Sequence, residues 1–132
     1  MKLYKYFQQP MLTVSWVFPE YCDQGVYIIY ADDNRNPLIK ALNPLRNNII
    51  RVGQGIISER LAEHLDNPKI TKYKNPYNKY YIGKLYVTCA EVPVRYRNGV
   101  ERFLANYLQP LEGDRFPDCT PISVNLPTCV SL

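Results

Sequence analysis

The chain has few of the residues that build zinc sites and membrane spans. It contains four cysteines and one histidine, and no two cysteines form a CxxC pair. Structural zinc sites usually take ligands from such pairs, so a zinc-bound fold is not expected. No apolar run approaches the ~20 residues that cross a bilayer, and the N-terminal residues lack the apolar core of a signal peptide. We therefore expect a cytoplasmic protein, associated with the nucleoid if bacterial, with reduced thiols.

The composition is instead that of one ordinary domain. Of 132 residues, 46% are hydrophobic and 21% are charged, which is typical of a globular protein rather than a disordered one. The net charge of +4 is compatible with a nucleic-acid partner but does not indicate one by itself. No internal repeat or linker divides the chain, so we expect a single domain.

Hydrophobic periodicity predicts the element order β-β-α-β-α. The expected elements are strands at residues 25–30, 48–52 and 84–92 and helices at residues 57–65 and 98–109. The second strand is expected to end at the glycines Gly53 and Gly55. This order predicts an α/β domain with a small three-stranded sheet flanked by helices. Residues 25–127 are assigned to it, residues 1–24 to an N-terminal arm or extra strand, and residues 128–132 to a tail.

Two residues of the first predicted helix are candidates for phosphate chemistry. Arg60 and His64 are four residues apart and therefore share one helix face. An arginine in that place can donate two hydrogen bonds to a phosphate. The alternative is a solvated arginine and a partly buried histidine on an ordinary amphipathic helix, and spacing alone favours that alternative.

Three further candidates each have a simpler structural explanation. Glu101 follows Asn98 by three residues, as in a helix capping box, and capping alone would explain it. Tyr27 is by default a core tyrosine, because a phenol becomes a useful base only where neighbours stabilise its anion. Asn125 is by default a loop residue that bonds its own backbone.

A polar segment between the first helix and the third strand is rich in lysine and tyrosine. It spans residues 67–83 and includes Lys72, Lys74 and Lys79. Lysines neutralise phosphates, and tyrosines stack on unpaired bases. A solvated charged loop explains the same residues, and the sequence does not choose between the two interpretations.

The order of these signals resembles the GIY-YIG nuclease family. Gly25-Val26-Tyr27 matches the first family motif and Arg51-Val52-Gly53 the second. Arg60 and His64 follow in the next helix, as in the restriction-enzyme branch, and Glu101 matches the metal-binding glutamate. The resemblance covers about residues 16–127 and extends to Asn125 near the end of the domain.

One position departs from the family pattern. Arg51 stands where the second motif usually has an active-site tyrosine. The literal string Tyr81-Ile82-Gly83 comes after the Arg60 helix, out of family order, and is treated as a coincidence. Arg51 cannot supply a phenol, but its guanidinium can bind a phosphate and its charge can lower the pKa of Tyr27.

The resemblance implies a metal-dependent DNA endonuclease with a one-metal site. Tyr27 would activate or position the attacking water with His64 as its partner, and Arg60 would stabilise charge on the scissile phosphate. Glu101 would hold Mg²⁺ or Mn²⁺, and Asn125 would order the site from the tail. The expected substrate-binding residues are Arg51, Gly53, Asn125, Lys72, Lys74 and Lys79.

Cleavage of low sequence specificity is expected, of the repair or phage and mobile-element type, since no separate DNA-reading module is evident. Specificity would otherwise come from a homodimer or another partner, or reside in residues 1–24 and 67–83. Two alternatives stay open at this point. The first is an inactive nucleic-acid-binding domain of the same fold, for which Arg51 is the main sign. The second is a protein-interaction module.

Overall fold

The structure, a computed structural model, describes residues 11–31, 49–63, 85–110, 113, 116, 118–128. Predictions for His64, Lys72, Lys74 and Lys79 lie outside these residues. Within the described ranges the chain forms a small α/β domain with a four-stranded antiparallel sheet and two helices. None of its described helices has the length and apolar character needed to cross a bilayer.

The sheet contains one strand more than the sequence predicted. The elements are β1 (Trp16–Val17), a 3-10 helix (Pro19–Tyr21), β2 (Gln24–Ala31), β3 (Ile49–Ile56), α1 (Ile57–Leu61), β4 (Leu85–Glu91) and α2 (Val94–Leu108). The strand order is β1-β4-β2-β3, so β3 is an edge strand of the sheet that the described residues form. The predicted three-stranded sheet lacked β1, which is two residues long and lies within residues 1–24, where an N-terminal arm or an extra strand was expected. A segment that short shows no alternating pattern.

The second strand does not end at its glycines. β3 runs on to Ile56, with Gly53 opposite Tyr27 and Gly55 opposite Gly25 on β2. The prediction of an end at Val52 was wrong because glycine weakens an isolated strand, whereas here side chains from β2 and α1 cover it.

The second helix begins four residues earlier than predicted. α2 starts at Val94 after Pro93, and no side chain caps its N-terminus. Gly99, interpreted from the sequence as part of a helix start, is a helix-interior residue that packs against Ile122. The capping-box explanation of Glu101 is therefore wrong, since this residue lies in the middle of α2.

Two apolar clusters cover the two faces of the sheet. The larger contains α2 residues, such as Val100 and Leu104, packed on Val26 and Ile28. The smaller joins Ile57 and Leu61 of α1 to Tyr27, Ile29, Ile50, Cys22 and Cys89. The helices thus lie on opposite faces, and both approach the sheet near β3.

Candidate active site

Tyr27 lies across the backbone of Gly53 on the neighbouring strand. The two residues are direct cross-strand partners, and Tyr27 is fully buried. A Cβ built on Gly53 would collide with the hydroxyl and ring of Tyr27. Because Gly53 has no side chain, the phenol of Tyr27 can lie over its backbone. This is a packing role, and it does not require Gly53 to contact a substrate.

The side chain of Arg60 lies over Gly55, the next glycine of β3. Gly55 has φ +132°, and a Cβ there would be 3.2 Å from Cγ of Arg60. The aliphatic part of Arg60 therefore lies over the strand, on the face that Tyr27 occupies. Its NH1 atom donates to Glu63 at 2.8 Å, and its buried Nε has no hydrogen-bond partner among the described residues.

Glu101 on α2 is connected to β3 by a hydrogen bond from Gln54. Nε2 of Gln54 donates to Glu101 Oε1 at 3.0 Å and to Asn98 Oδ1 at 2.6 Å. Gln54 follows Gly53, so its side chain points to the opposite face of the sheet, where α2 packs. The three candidates are thus arranged around the edge formed by β3, with Tyr27 and Arg60 on one face and Glu101 on the other.

The electrostatics of Tyr27 are dominated by burial. Burial raises the pKa of Tyr27 above its ordinary value, while the charges of Arg60 and Arg51 lower it. Arg51 therefore acts on Tyr27 in the direction expected from its charge, but burial outweighs it. A phenol with a raised pKa is scarcely ionised at neutral pH, so little phenolate is present to act as a base, although the neutral group remains a hydrogen-bond donor.

Opposing effects also act on the pKa of Glu101, whose carboxyl is half-buried. Burial raises the pKa of Glu101, and the hydrogen bond from Gln54 and the charge of Arg60 oppose that rise. Glu101 and Arg60 therefore interact electrostatically although they belong to elements on opposite faces. A partly desolvated carboxylate beside a cation is an arrangement found at functional sites more often than on ordinary surfaces.

Asn125 forms hydrogen bonds with the N-terminal segment. Its Oδ1 accepts from the Val14 N–H at 2.7 Å, and its Nδ2 donates to the Val14 carbonyl at 2.9 Å. The Asn125 carbonyl accepts from Trp16 Nε1 at 2.7 Å. These contacts connect Asn125 to Val14 and to Trp16 of β1, and none of them is with Tyr27, Arg60 or Glu101. A catalytic role for Asn125 stays a prediction.

Glu101 is the candidate metal ligand at this site. They contain no group of three or more His, Cys, Asp or Glu side chains placed to bind a metal together. Mg²⁺ often takes only one or two protein carboxylates and keeps several waters. The half-buried Glu101 carboxylate, whose Oε1 accepts from Gln54 Nε2, fits an ion bound in that way.

Two neighbours of the candidates were missed in the sequence. Gln54 positions Glu101, and Glu63 pairs with Arg60. Glu63 was detectable, because it lies three residues after Arg60 and such helical pairs are common. Gln54 had no such signal, since its partner is 47 residues away on another element.

Comparisons with known proteins complete the description of the site. Searches against sequence models of protein families, curated proteins and solved structures found no match. The functional interpretation therefore depends on this site's own residues and geometry.

Proposed function

We propose that the chain is a metal-dependent DNA endonuclease of the GIY-YIG type, with a one-metal site and low sequence specificity. The observation that supports this most is the grouping of Tyr27, Arg60 and Glu101 around β3. These residues come from a strand and two helices, and the charges of Arg60 and Glu101 act on the same phenol.

In the proposed reaction Arg60 binds the scissile phosphate. Its guanidinium is partly exposed, with 38% of the side chain accessible, and its stem is held over Gly55. A fixed guanidinium stabilises the negative charge that develops on the phosphoryl oxygens. The pair with Glu63 lies on the exposed side and is weak enough to be exchanged for a phosphate.

Glu101 would hold the metal, with Gln54 keeping the carboxylate in place. A bound Mg²⁺ or Mn²⁺ would supply Lewis-acid stabilisation of the phosphoryl and leaving oxygens. Lys72, Lys74 and Lys79 remain candidates for contacts to the DNA backbone and lie outside the described residues.

Tyr27 acts in this proposal as a positioning residue in its neutral form. Its raised pKa argues against a phenolate at neutral pH, so the proton of the attacking water goes to another group. His64 is the acceptor that the sequence offers. Because Tyr27 is fully buried, its direct contribution is to keep Arg60 and the strand edge in place.

A second function is favoured by two specific observations. Tyr27 is inaccessible to solvent, and Arg51 takes the position of a family tyrosine. Both are consistent with an inactive domain that binds nucleic acid through the same arginines. In that alternative Glu101 is a structural carboxyl bonded by Gln54.

Plasmid nicking with Mg²⁺ or Mn²⁺ tests the first proposal. We expect nicking by the unchanged protein, and at least about a hundredfold less by Arg60→Gln and Glu101→Gln. The matched controls are Arg102→Gln on α2 and Glu59→Gln on α1, which should retain activity. If the unchanged protein does not nick, or Glu101→Gln nicks as fast as Glu59→Gln, the catalytic proposal is wrong. Salt-dependent DNA binding without nicking would then support the inactive domain.

A further inference from the structure

A cleft at the sheet edge opposite β3 has four aromatic residues among the nine that line it. It has a volume of about 560 Å³. The lining residues that matter here are Trp16, Phe18, Tyr21, Tyr30, Thr88 and Thr128. Phe18 and Tyr21 are 67% and 71% exposed, so two large aromatic side chains are presented to solvent at one place.

The cleft exists because β1 is so short. β1 pairs with β4 only at Trp16–Ala90 and Val17–Cys89. Phe18 and Pro19 then leave the sheet for the 3-10 helix, because proline cannot donate a ladder hydrogen bond. Because the chain turns away here, a longer β1 does not fill the space beside Thr88, and that space is part of the cleft.

The chemistry of the lining fits a flat, uncharged ring with polar edges. None of the described residues that line the cleft carries a charge, and an ionic ligand buried there would lack a counter-charge. The aromatic rings offer stacking faces, and the hydroxyls of Tyr21, Thr88 and Thr128 offer hydrogen bonds to a ring edge. A nucleobase has both features, and bases stack on aromatic side chains without strong sequence preference.

The cleft and the candidate active site lie along one row of the sheet. Val17 pairs with Cys89, Cys89 with Tyr27, and Tyr27 with Gly53. This row spans three strand spacings, or roughly 14 Å. At about 3.4 Å per nucleotide along one strand, that is about four nucleotide steps. One nucleic-acid strand therefore has the length to reach both places.

We propose that this aromatic cleft binds an unpaired nucleobase of the substrate strand, so that the preferred substrate is DNA with an unpaired nucleotide a few steps from the cut. The inference about the substrate rests on the proposed nuclease function. Base binding in the cleft does not, and it is measured without cleavage.

Fluorescence of Trp16 gives the direct test, because it is the only tryptophan of the chain. The probes are a short oligothymidylate and an oligonucleotide of equal length made of abasic residues, without divalent metal. We expect the oligothymidylate to quench Trp16 and to bind at least about fivefold more tightly than the abasic strand. Phe18→Ala and Tyr21→Ala should reduce that preference, and both side chains are exposed enough to be removed without unfolding the protein.

Tyr107→Ala on α2 is the matched control, since Tyr107 is 46% exposed and does not line the cleft. It should bind both probes as the unchanged protein does. Equal binding of the two probes, or equal effects of Tyr107→Ala and Tyr21→Ala, overturns the proposal. Quenching by a strand-forming peptide but not by oligothymidylate also overturns it and assigns the cleft to a peptide.

The two proposals fail separately. Base-dependent binding without plasmid nicking supports the cleft and contradicts the nuclease. Nicking without base-dependent binding contradicts the cleft alone. With both present, DNA with an unpaired nucleotide should be cut at least about fivefold faster than the matching duplex, and Phe18→Ala should remove that difference. Equal cutting of the two DNAs would contradict the substrate assignment.

Discussion

Gln54 on the edge strand donates a hydrogen bond of 3.0 Å to Glu101 on α2. The same amide nitrogen donates to Asn98 one turn earlier on that helix, so β3 holds two side chains of α2. This contact opposes the effect of burial on the pKa of Glu101. It connects the helix carboxyl to the strand that carries Gly53 and Gly55.

Replacement of Gln54 should raise the pKa of Glu101 further. Gln54→Leu removes the donor that stabilises the carboxylate, so the acid limb of the nicking-rate profile should move to higher pH. The direct measurement is NMR titration of the Glu101 carboxyl. Gln24→Leu on β2 is the matched control, because the Gln24 side chain accepts from Arg97 instead and should leave that titration unchanged. An unchanged Glu101 titration in Gln54→Leu would contradict the role assigned to Gln54.

Glu101→Gln should stabilise the fold at neutral pH while reducing activity. The pKa of Glu101 is raised in the folded state, so its contribution to stability is full below the unfolded-state value near 4.5 and is lost as pH rises through the folded value. The uncharged glutamine side chain removes this loss of stability at higher pH. The greater stability of Glu101→Gln should therefore vanish at acidic pH. Urea unfolding across this pH range measures it. Greater stability of the unchanged protein at neutral pH would contradict the prediction.

Gly53→Ala should destabilise the protein and disturb Tyr27. The new methyl group would collide with the buried phenol, and overpacking of this kind costs about 1–3 kcal/mol. In a Tyr27→Leu background the same substitution should cost less, because the colliding atoms are gone. A double-mutant cycle of unfolding free energies measures this coupling. Additive effects would show that Gly53 and Tyr27 do not pack as described.

Among the described cysteines, the buried thiols of Cys22 and Cys89 should be much less reactive than the exposed thiol of Cys119. Burial raises the pKa of Cys89 from 9.0 to about 12, which lowers its thiolate fraction about a thousandfold at neutral pH. Cys119 is exposed and should be alkylated before Cys22 and Cys89. Alkylation followed by peptide mass mapping gives the order. Equal rates for Cys89 and Cys119 in the folded protein would contradict the burial of Cys89.

Asn125→Ala should reduce stability without a selective effect on cleavage chemistry. It removes both side-chain hydrogen bonds to Val14, which together are worth about 1–3 kcal/mol. Nicking rates measured below the unfolding transition should change less than in Arg60→Gln. A rate loss as large as that of Arg60→Gln, with unchanged stability, would instead support a role in the reaction.

Part of the fold was predictable from local pattern. The β-branched and aromatic content of residues 25–30 predicted β2, and the apolar stripe of Val100, Phe103 and Leu104 predicted the buried face of α2. The error at Gly99 has a physical cause. Glycine disfavours a helix interior, and the close approach of Ile122 and the Thr120 carbonyl, which leaves no room for a Cβ, explains its place there.

The sequence by itself determined the residue types of the candidate site and most of the elements that carry them, because periodicity and turn chemistry are local. Tertiary structure decided three other properties. Pairing across the strands put Tyr27 over Gly53, packing of α2 brought Glu101 to Gln54, and burial raised the pKa of Tyr27 despite two nearby arginines. Each depends on residues distant in the chain, whose proximity no local pattern encodes.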